Sequence, residues 1–477
     1  MSGKPYLHQQ QLPMVLLLAI LLNGCSQQTV QSVSQPTVIT PDKWVTDQPI
    51  TDIADNLSTP NKSSSYPQPV NWLKEFNSPE LNQLVTESMT HNQTLQKTIL
   101  NWQSAQQSTL IAETHLRPTI EGGLSSQRSR SQSSTGLSSQ STQHTLQLTA
   151  LWEPDLWNRL SDQQRAAAVR EQASATDLRA AKLSLAASVS RNWFTAVEQK
   201  QQIQLSQKRL QRYQQALEVI EARYRRGLTD ALDLHLARSE VALSKERLLI
   251  QQLNLKQQLR TLEILVGRYP SATITVTDSL PTMSASIPAG LPSELLDRRP
   301  DINASHARWQ ATVFDTEVAA KRRLPSFSLT AQSGTSSSEL KDLLDWDHLL
   351  WNLLGNLSQP LFQQDQLKAE ERIKLINQKQ AATDYAEIVF NAFHEVENHL
   401  TAEQFQQQRV HVLLQAAEES GKASDLALSR YQSGLIDILT LLDTQQRAYD
   451  QQSAHLNAIA KHIDNRIQLY LALGGSF

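Results

Sequence analysis

Glycine is scarce in this chain, 14 in 477 residues, about 3% where ~7% is usual, so few turns and long uninterrupted elements are expected. Cysteine occurs once, at Cys25, which excludes an intramolecular disulfide in any compartment. The formal charge of −3 is neither the basic excess of a nucleic-acid binder nor an acidic tail, so DNA and RNA are not expected partners. Met14–Leu22 is an apolar run of nine residues, well short of the ~20 that a spanning helix needs. No glycine-rich phosphate cradle, nucleophile elbow or cysteine pair is present, so neither an enzyme nor a cofactor is expected. Proline is absent from Asp155 to Tyr269 and again after Pro360, and Gly227 is the one glycine between Asp155 and Leu265.

What is there begins with a signal peptide over 1–24, whose apolar run leads into Leu22-Asn23-Gly24-Cys25. This resembles the lipobox of bacterial lipoproteins, in which Cys25 becomes the acylated first residue and anchors the chain to outer-membrane lipid. An ordinary secretory signal with an incidental cysteine is the alternative. Ser26 stands where an aspartate would retain a lipoprotein at the inner membrane, which favours the outer one. Residues 25–71 are rich in Ser, Thr, Gln, Pro and Asp and read as an extended tether.

The rest of the chain is written twice. ARYRRGLTDALDL at 222–234 returns as SRYQSGLIDILTL at 429–441, and Pro118 returns as Pro325, in each case 207 residues later. Repeat 1 is assigned to 72–275, a linker to 276–292 and repeat 2 to 293–477. In each repeat, prolines bracket a hairpin, at about 118–154 and 325–360, where Leu146, Leu148, Ala150 and Trp152, or Phe327, Leu329 and Ala331, alternate with other residues. Between the hairpins a helix from about Leu156 to Arg226 would be roughly 105 Å long at 1.5 Å per residue. Ile203, Leu210, Leu217 and Tyr224, with Tyr213 and Ile220 between them, mark a heptad seam that needs partner helices. Leu456, Ala460, Ile463, Ile467 and Tyr470 are spaced similarly near the end. The repeated motif falls where one long helix ends and another starts back. Gly227 and Gly434 suit a helix C-terminus, and Thr229-Asp230 and Asp437 suit the following N-cap. Geometry alone makes these two helical hairpin tips; the functional reading makes them the working end of the molecule.

Each chain thus offers about four strands of nine to twelve residues, the length that crosses a bilayer at ~45° tilt. Four strands cannot close, and an open edge in lipid leaves backbone groups unpaired at several kcal/mol each. Two copies would give a plugged barrel and three would give twelve strands, so a homotrimer is the economical closure. Two soluble hairpins decorating a coiled coil remain the alternative.

Trp152-Glu153-Pro154-Asp155-Leu156-Trp157, Leu262–Gly267, Gly290–Ile302, Ser358–Phe362, Ala392–Leu400, both Arg-Tyr-x-x-Gly-Leu tips, Leu441-Leu442-Asp443-Thr444-Gln445 and Leu473-Gly474-Gly475 together resemble the outer-membrane efflux channels of the TolC type, in the lipoprotein branch often labelled NodT-type. Asn158 departs from that pattern, which has glycine there. The resemblance implies an α+β, mainly α fold: a trimeric twelve-stranded β-barrel in the outer membrane and a periplasmic α-helical barrel. It also implies a passive exit duct served by a periplasmic adaptor and an inner-membrane pump. The tips bearing Arg223, Tyr224, Gly227, Arg430, Tyr431 and Gly434 would meet the adaptor, and Leu439 and Asp443 would narrow the periplasmic entrance. A leucine ring hinders wetting, and three nearby carboxylates repel one another and attract cations. A solvated helix-face carboxylate is the plainer reading of Asp443. An outlet for type I protein secretion and a coiled-coil lipoprotein without a pore are the alternatives in function.

His394 and His399 lie five apart, about 140° around a helix, and do not converge on one metal. His455 and His462, seven apart, stand too far from each other to share an ion directly. Arg298-Arg299-Pro300-Asp301 reads as a loop-to-helix junction.

Overall fold

The computed structural model describes residues 40, 41, 44, 72–132, 138–283 and 292–475. Cys25, the lipobox and most of the 25–71 tether lie outside the described residues. The elements are α1 (Pro79–His91), α2 (Gln93–Thr114), β1 (Thr119–Gln132), β2 (Ser138–Trp152), α3 (Arg159–Arg225), α4 (Ala231–Val266), α5 (Pro300–Lys321), β3 (Ser326–Ser337), β4 (Leu349–Ser358), α6 (Gln364–Gln432) and α7 (Ile438–Ala472). Short 3-10 turns at Trp72–Phe76, Pro292–Glu294, Leu340–Leu344 and Trp346–His348, and one helical turn at Leu295–Arg298, complete the described set. At 67 and 69 residues, α3 and α6 each run about 100 Å.

The chain divides into two compact units. The first holds Leu116–Gln163 and Thr312–Lys379, and the second the described parts of Pro36–His115, Gln164–Ala311 and Gln380–Phe477. Each unit draws on both halves of the sequence.

In the first unit the strands form one antiparallel sheet in the order β1-β2-β3-β4. Pairing is unbroken from Thr119↔Leu151 to Gln132↔Ser138, and it joins the hairpins through Ala150↔Ala331. Because side chains alternate across a strand, one face collects Ile120, Leu124, Leu146, Leu148, Trp152, Leu329, Trp351, Leu353 and Leu357, while the other carries Glu121, Gln147, Thr149, Gln332, Asn352 and Asn356 together with Leu151, Leu350 and Leu354. The apolar face is open: Ile120 is 72% and Trp351 78% exposed. The strands of the first hairpin, at 14 and 15 residues, are longer than expected. Their Ser/Gln-rich far ends pair as strand, joined by Ser129–Ser141 at 2.8 Å and Arg128 Nη2 to Gln140 Oε1 at 3.3 Å. Hydroxyl and amide pairs hold strands together as apolar pairs do, without leaving an apolar alternation to read.

The second unit holds the buried cores. Trp72, Phe76, Leu81, Trp193, Leu262, Ile463 and Ile467 form one, and Trp44, Ile302, Val389 and Val396 another. Here the duplication can be followed bond by bond. Asn92 Oδ1 caps α2 at Leu95 N, 2.9 Å, separating it from α1, while its Nδ2 donates to Leu265 O at 2.9 Å. Its counterpart Arg299 donates through Nη1 to Ala472 O at 3.2 Å. Gln258 Nε2 donates to Asn192 Oδ1 at 2.7 Å, and the equivalent Asn465 is hydrogen-bonded to His399 Nδ1 at 2.8 Å. Gly267 and Gly474, with φ of 84° and 69°, close α4 and α7. A Cβ on them would stand 2.5 Å from His91 O and 2.9 Å from Arg298 O.

The heptad seam of α3 keeps the expected Tyr213 and Ile220, but its other positions shift by one, to Arg209 and Ala216 in place of Leu210 and Leu217. Gln202, Ser206, Arg209, Tyr213, Ala216 and Ile220 are the buried positions, and Ile203, Leu210 and Leu217 flank them, partly covered. Arg209 is retained there because its guanidinium lies 5.2 Å from the Tyr213 ring and 5.5 Å from that of Tyr449. Burial pushes the Tyr449 hydroxyl up to about 12.

Candidate functional site

Both tips are built alike, for a physical reason. At the end of α3, Gly227 N donates to Tyr224 O at 2.9 Å and Leu228 N to Arg223 O at 3.0 Å; at the end of α6, Gly434 N donates to Tyr431 O and Leu435 N to Arg430 O, at 3.0 and 2.9 Å. This pair of bonds ends a helix through one left-handed residue, and the glycines have φ of 70° and 71°. The helices that follow are capped by Asp230 Oδ1, accepting from Asp233 N at 3.0 Å, and Asp437 Oδ1, accepting from Thr440 N at 2.7 Å. The Thr440 hydrogen bonds hold the Asp437 carboxyl below its usual range.

The repeated Arg-Tyr pair is used differently in the two copies. Tyr431 is 3% exposed and packs with Ile220, Leu234, Ala427 and Leu441, whereas Tyr224 is 43% exposed. Arg223 reaches from the first tip to the second: its guanidinium carbon lies 5.2 Å from the Tyr431 ring, and Nη1 donates to Tyr431 O and Gln432 O at 3.4 and 3.3 Å. These carbonyls end α6, where a cation is favoured. Arg430 is exposed. The structure thus brings together Arg223, Tyr431 and the two glycine turns, and leaves Tyr224 and Arg430 exposed. Arg212 to Asp425 at 3.0 Å and Arg238 to Glu221 at 3.0 Å tie the same helices further along.

Leu439 and Asp443 lie one turn apart on the α7 face opposite the buried Ile438 and Leu441. Leu439 is 60% exposed. Asp443 is not a bare carboxylate, because Arg447 Nε stands 2.9 Å from its Oδ2. That partner was readable as an i,i+4 pair. Arg223 was visible in sequence only as a motif residue, since nothing local says which tip it contacts.

At the sheet end, Asn158 takes φ 58°, so asparagine fills the left-handed position that the family pattern gives to glycine. Asp155 caps α3 through Leu160 N and Ser161 N at 2.9 and 2.7 Å. Trp157 Nε1 donates to Pro325 O at 2.7 Å, fastening the first hairpin's exit to the second hairpin's entry. Arg323 pairs with Glu371 at 2.8 Å, and Lys321 pairs with Asp162. The histidines set aside as metal ligands have other partners: His394 Nε2 bonds Asn398, and His462 Nε2 bonds Glu403 at 2.8 Å. Arg299 ends the turn at Leu295–Arg298 and pairs with Asp301 and Glu395 at 2.6 and 2.7 Å, fixing the junction read there.

A half-apolar, open-edged sheet joined to duplicated long helices defines the class. Residues 84–268 and 291–475 match the family described as outer membrane efflux protein, and the chain belongs to it. It is 30% identical over 431 residues to the pyoverdine export outer membrane protein OpmQ of Pseudomonas putida, covering 88% of this chain and 90% of that protein. It is 26% identical over 470 residues to the toluene efflux pump outer membrane protein TtgF of Pseudomonas putida, covering 97% and 96%. Among solved structures, the Campylobacter jejuni CmeC outer membrane channel superposes with a TM-score of 0.82 at 22% identity, over 92% of this chain and 95% of that one. The chain is an outer-membrane efflux protein and not an enzyme.

Proposed function

We propose that the protein is the passive exit duct of a tripartite efflux system. Three copies join their sheets edge to edge into a barrel in the outer membrane, and their long helices form the periplasmic tunnel. The observation that carries this is the sheet itself: among the described residues β1 and β4 are both unpaired along their outer edges, and one face is apolar and open. Such a sheet is unstable in water and impermissible in lipid until its edges are closed. The inward face, on which Gln, Thr and Asn outnumber Leu151, Leu350 and Leu354, then gives a wet passage.

The tips at Arg223–Leu228 and Arg430–Leu435 receive a periplasmic adaptor, through which an inner-membrane pump delivers its cargo. Tyr224 and Arg430, the exposed copies, are the contacts this reading assigns to the adaptor. Leu439 and the Asp443–Arg447 pair line the entrance. Cys25, acylated, adds a lipid anchor. The cargo is a small molecule selected by the pump: relatives matching nearly the whole chain are named for cargoes as unlike as pyoverdine and toluene. Sizing of the detergent-extracted protein and planar-bilayer recording test the reading together. A conducting trimer is expected; a stable monomer whose hairpins are accessible to water throughout, with no channel activity, overturns it.

A further inference from the structure

All four strand ends that lead to helices lie at one end of the sheet, and both hairpin turns at the other. With the helices in the periplasm, as the duct reading places them, the turns face outside the cell. At that end the apolar face of the first hairpin changes chemistry. Its last apolar pair is Leu124↔Leu146; then come Ser126↔His144, Arg128↔Thr142 and Arg130↔Gln140. The pairing has no bulge, so both arginines share the face of Leu124 and point outward. Four residues at ~3.3 Å, tilted by ~40°, lift Arg128 about 10 Å above that pair. This is headgroup height, within reach of a long side chain bent toward the bilayer. Arg128 and Arg130 are exposed, and neither forms an ion pair among the described residues. No carboxylate occurs between Glu121 and Glu153.

Beside them on the same face lies an apolar cleft of about 550 Å³. Leu146 and Leu148 form its floor, and Leu343, Leu344, Trp346 and Leu349 its wall. Thr335 Oγ1 donates to Leu343 O and holds that wall over the strands. The cleft is continuous with the membrane-facing band, and Trp346, 80% exposed, stands at its edge.

We propose that this face binds a polyacylated, phosphate-bearing lipid of the outer leaflet, of the lipid A class, with Arg128 and Arg130 on its phosphates and one acyl chain in the cleft below Trp346. The proposal rests on the duct reading for the direction of the turns. It commits to a lipid because the cations continue an apolar band; a free anion would need no such neighbour.

The test is native mass spectrometry of the full-length trimer with lipid A, with enzymatically dephosphorylated lipid A, and with lipid A plus excess inorganic phosphate. Each sample is also scored for conductance. R128Q/R130Q should bind lipid A about tenfold more weakly than wild type and dephosphorylated lipid A unchanged. Trp346→Ser should weaken both lipids alike. Equal binding of lipid A by wild type and R128Q/R130Q overturns the proposal, as does displacement by inorganic phosphate, which would make the arginines a free-anion site. A Trp346→Ser variant with full affinity removes the acyl slot. A conducting trimer showing any of these sinks this proposal alone, whereas a non-conducting monomer sinks the duct reading with it.

Discussion

Removing Arg223 should loosen the entrance. In each protomer its guanidinium contributes a stacked cation worth ~0.5–1 kcal/mol at an exposed site and ~2 when desolvated. Tyr431 is buried while Arg223 is partly covered, so the value lies between these. The two bonds to Tyr431 O and Gln432 O, at 3.4 and 3.3 Å, sit at the long edge of hydrogen-bonding geometry and together add about 1 kcal/mol. The sum, about 2 kcal/mol, corresponds to a roughly thirtyfold rise in the population of tips freed from each other, at a factor of ten per ~1.4 kcal/mol. Arg223→Ala should therefore raise the resting conductance of the reconstituted channel and admit bulky antibiotics to cells. Arg223→Lys should fall between, since an ammonium keeps the charge but loses the planar stack. Most of the tip core, Ile220, Leu234, Ala237 and Leu441, is untouched, so thermal stability should change little. Resting conductance within twofold of wild type, in a normally melting trimer, would refute the assigned latch.

The remaining expectations concern the entrance, a buried carboxylate and the helix closures. Asp443→Ala should raise resting conductance by removing charge at the constriction, while Arg447→Ala should leave the carboxylate unpaired and shift reversal potentials in a KCl gradient toward cation selectivity; unchanged values in both would remove this pair from the entrance. Glu263, 1% exposed, accepts from Ala272 N and Thr273 N at 2.6 Å each, and Glu263→Gln should cost about 3 kcal/mol, read by chemical denaturation, because an amide turns a donor toward those N–H groups. Burial alone would raise the Glu263 carboxyl, but the N–H donors of Ala272, Thr273 and Ile274 outweigh it and hold it below the usual range. Its stabilisation is thus complete above the unfolded value of ~4.3 and lost as pH falls through the lower folded one, so Glu263→Gln should flatten the acid limb of the stability profile. Gly267→Ala should destabilise more than Gly474→Ala, because its Cβ would approach backbone at 2.5 Å instead of 2.9 Å, on top of about 1–2 kcal/mol of left-handed strain common to both.

The 207-residue spacing made the duplication legible, and with it the placing of both hairpins and both tips. The same offset aligns Asn92 with Arg299 in the sequence, and in the structure it also relates Gln258 to Asn465; each pair bonds equivalent carbonyl or side-chain partners. The Gln258/Asn465 pair was hidden because the residue types differ while the geometry persists. The polar strand ends of the first hairpin were missed for a related reason, since Ser, Thr and Gln pair across strands without an apolar alternation to announce it. The unlike roles of Arg223 and Arg430 could not be read at all. They depend on which copy of the motif faces the shared core, a tertiary choice that two near-identical local sequences do not encode.

The shifted seam of α3 bears on assembly. A helix that buries Gln202, Ser206 and Arg209 within its own chain while leaving Ile203, Leu210 and Leu217 partly covered alongside has placed its apolar stripe one position away from its present partners. A heptad with two adjacent stripes suits a helix with neighbours on two sides, as in a closed ring where every helix touches the next. Within the chain the polar stripe is satisfied: Gln202 donates to Ser453 O at 3.1 Å and Ser206 to Gln251. The apolar stripe has gained only part of the burial its area would reward. The open sheet edges and this second stripe are therefore the same demand made in two materials, backbone hydrogen bonds in lipid and apolar area in water, and a ring of identical copies meets both at once.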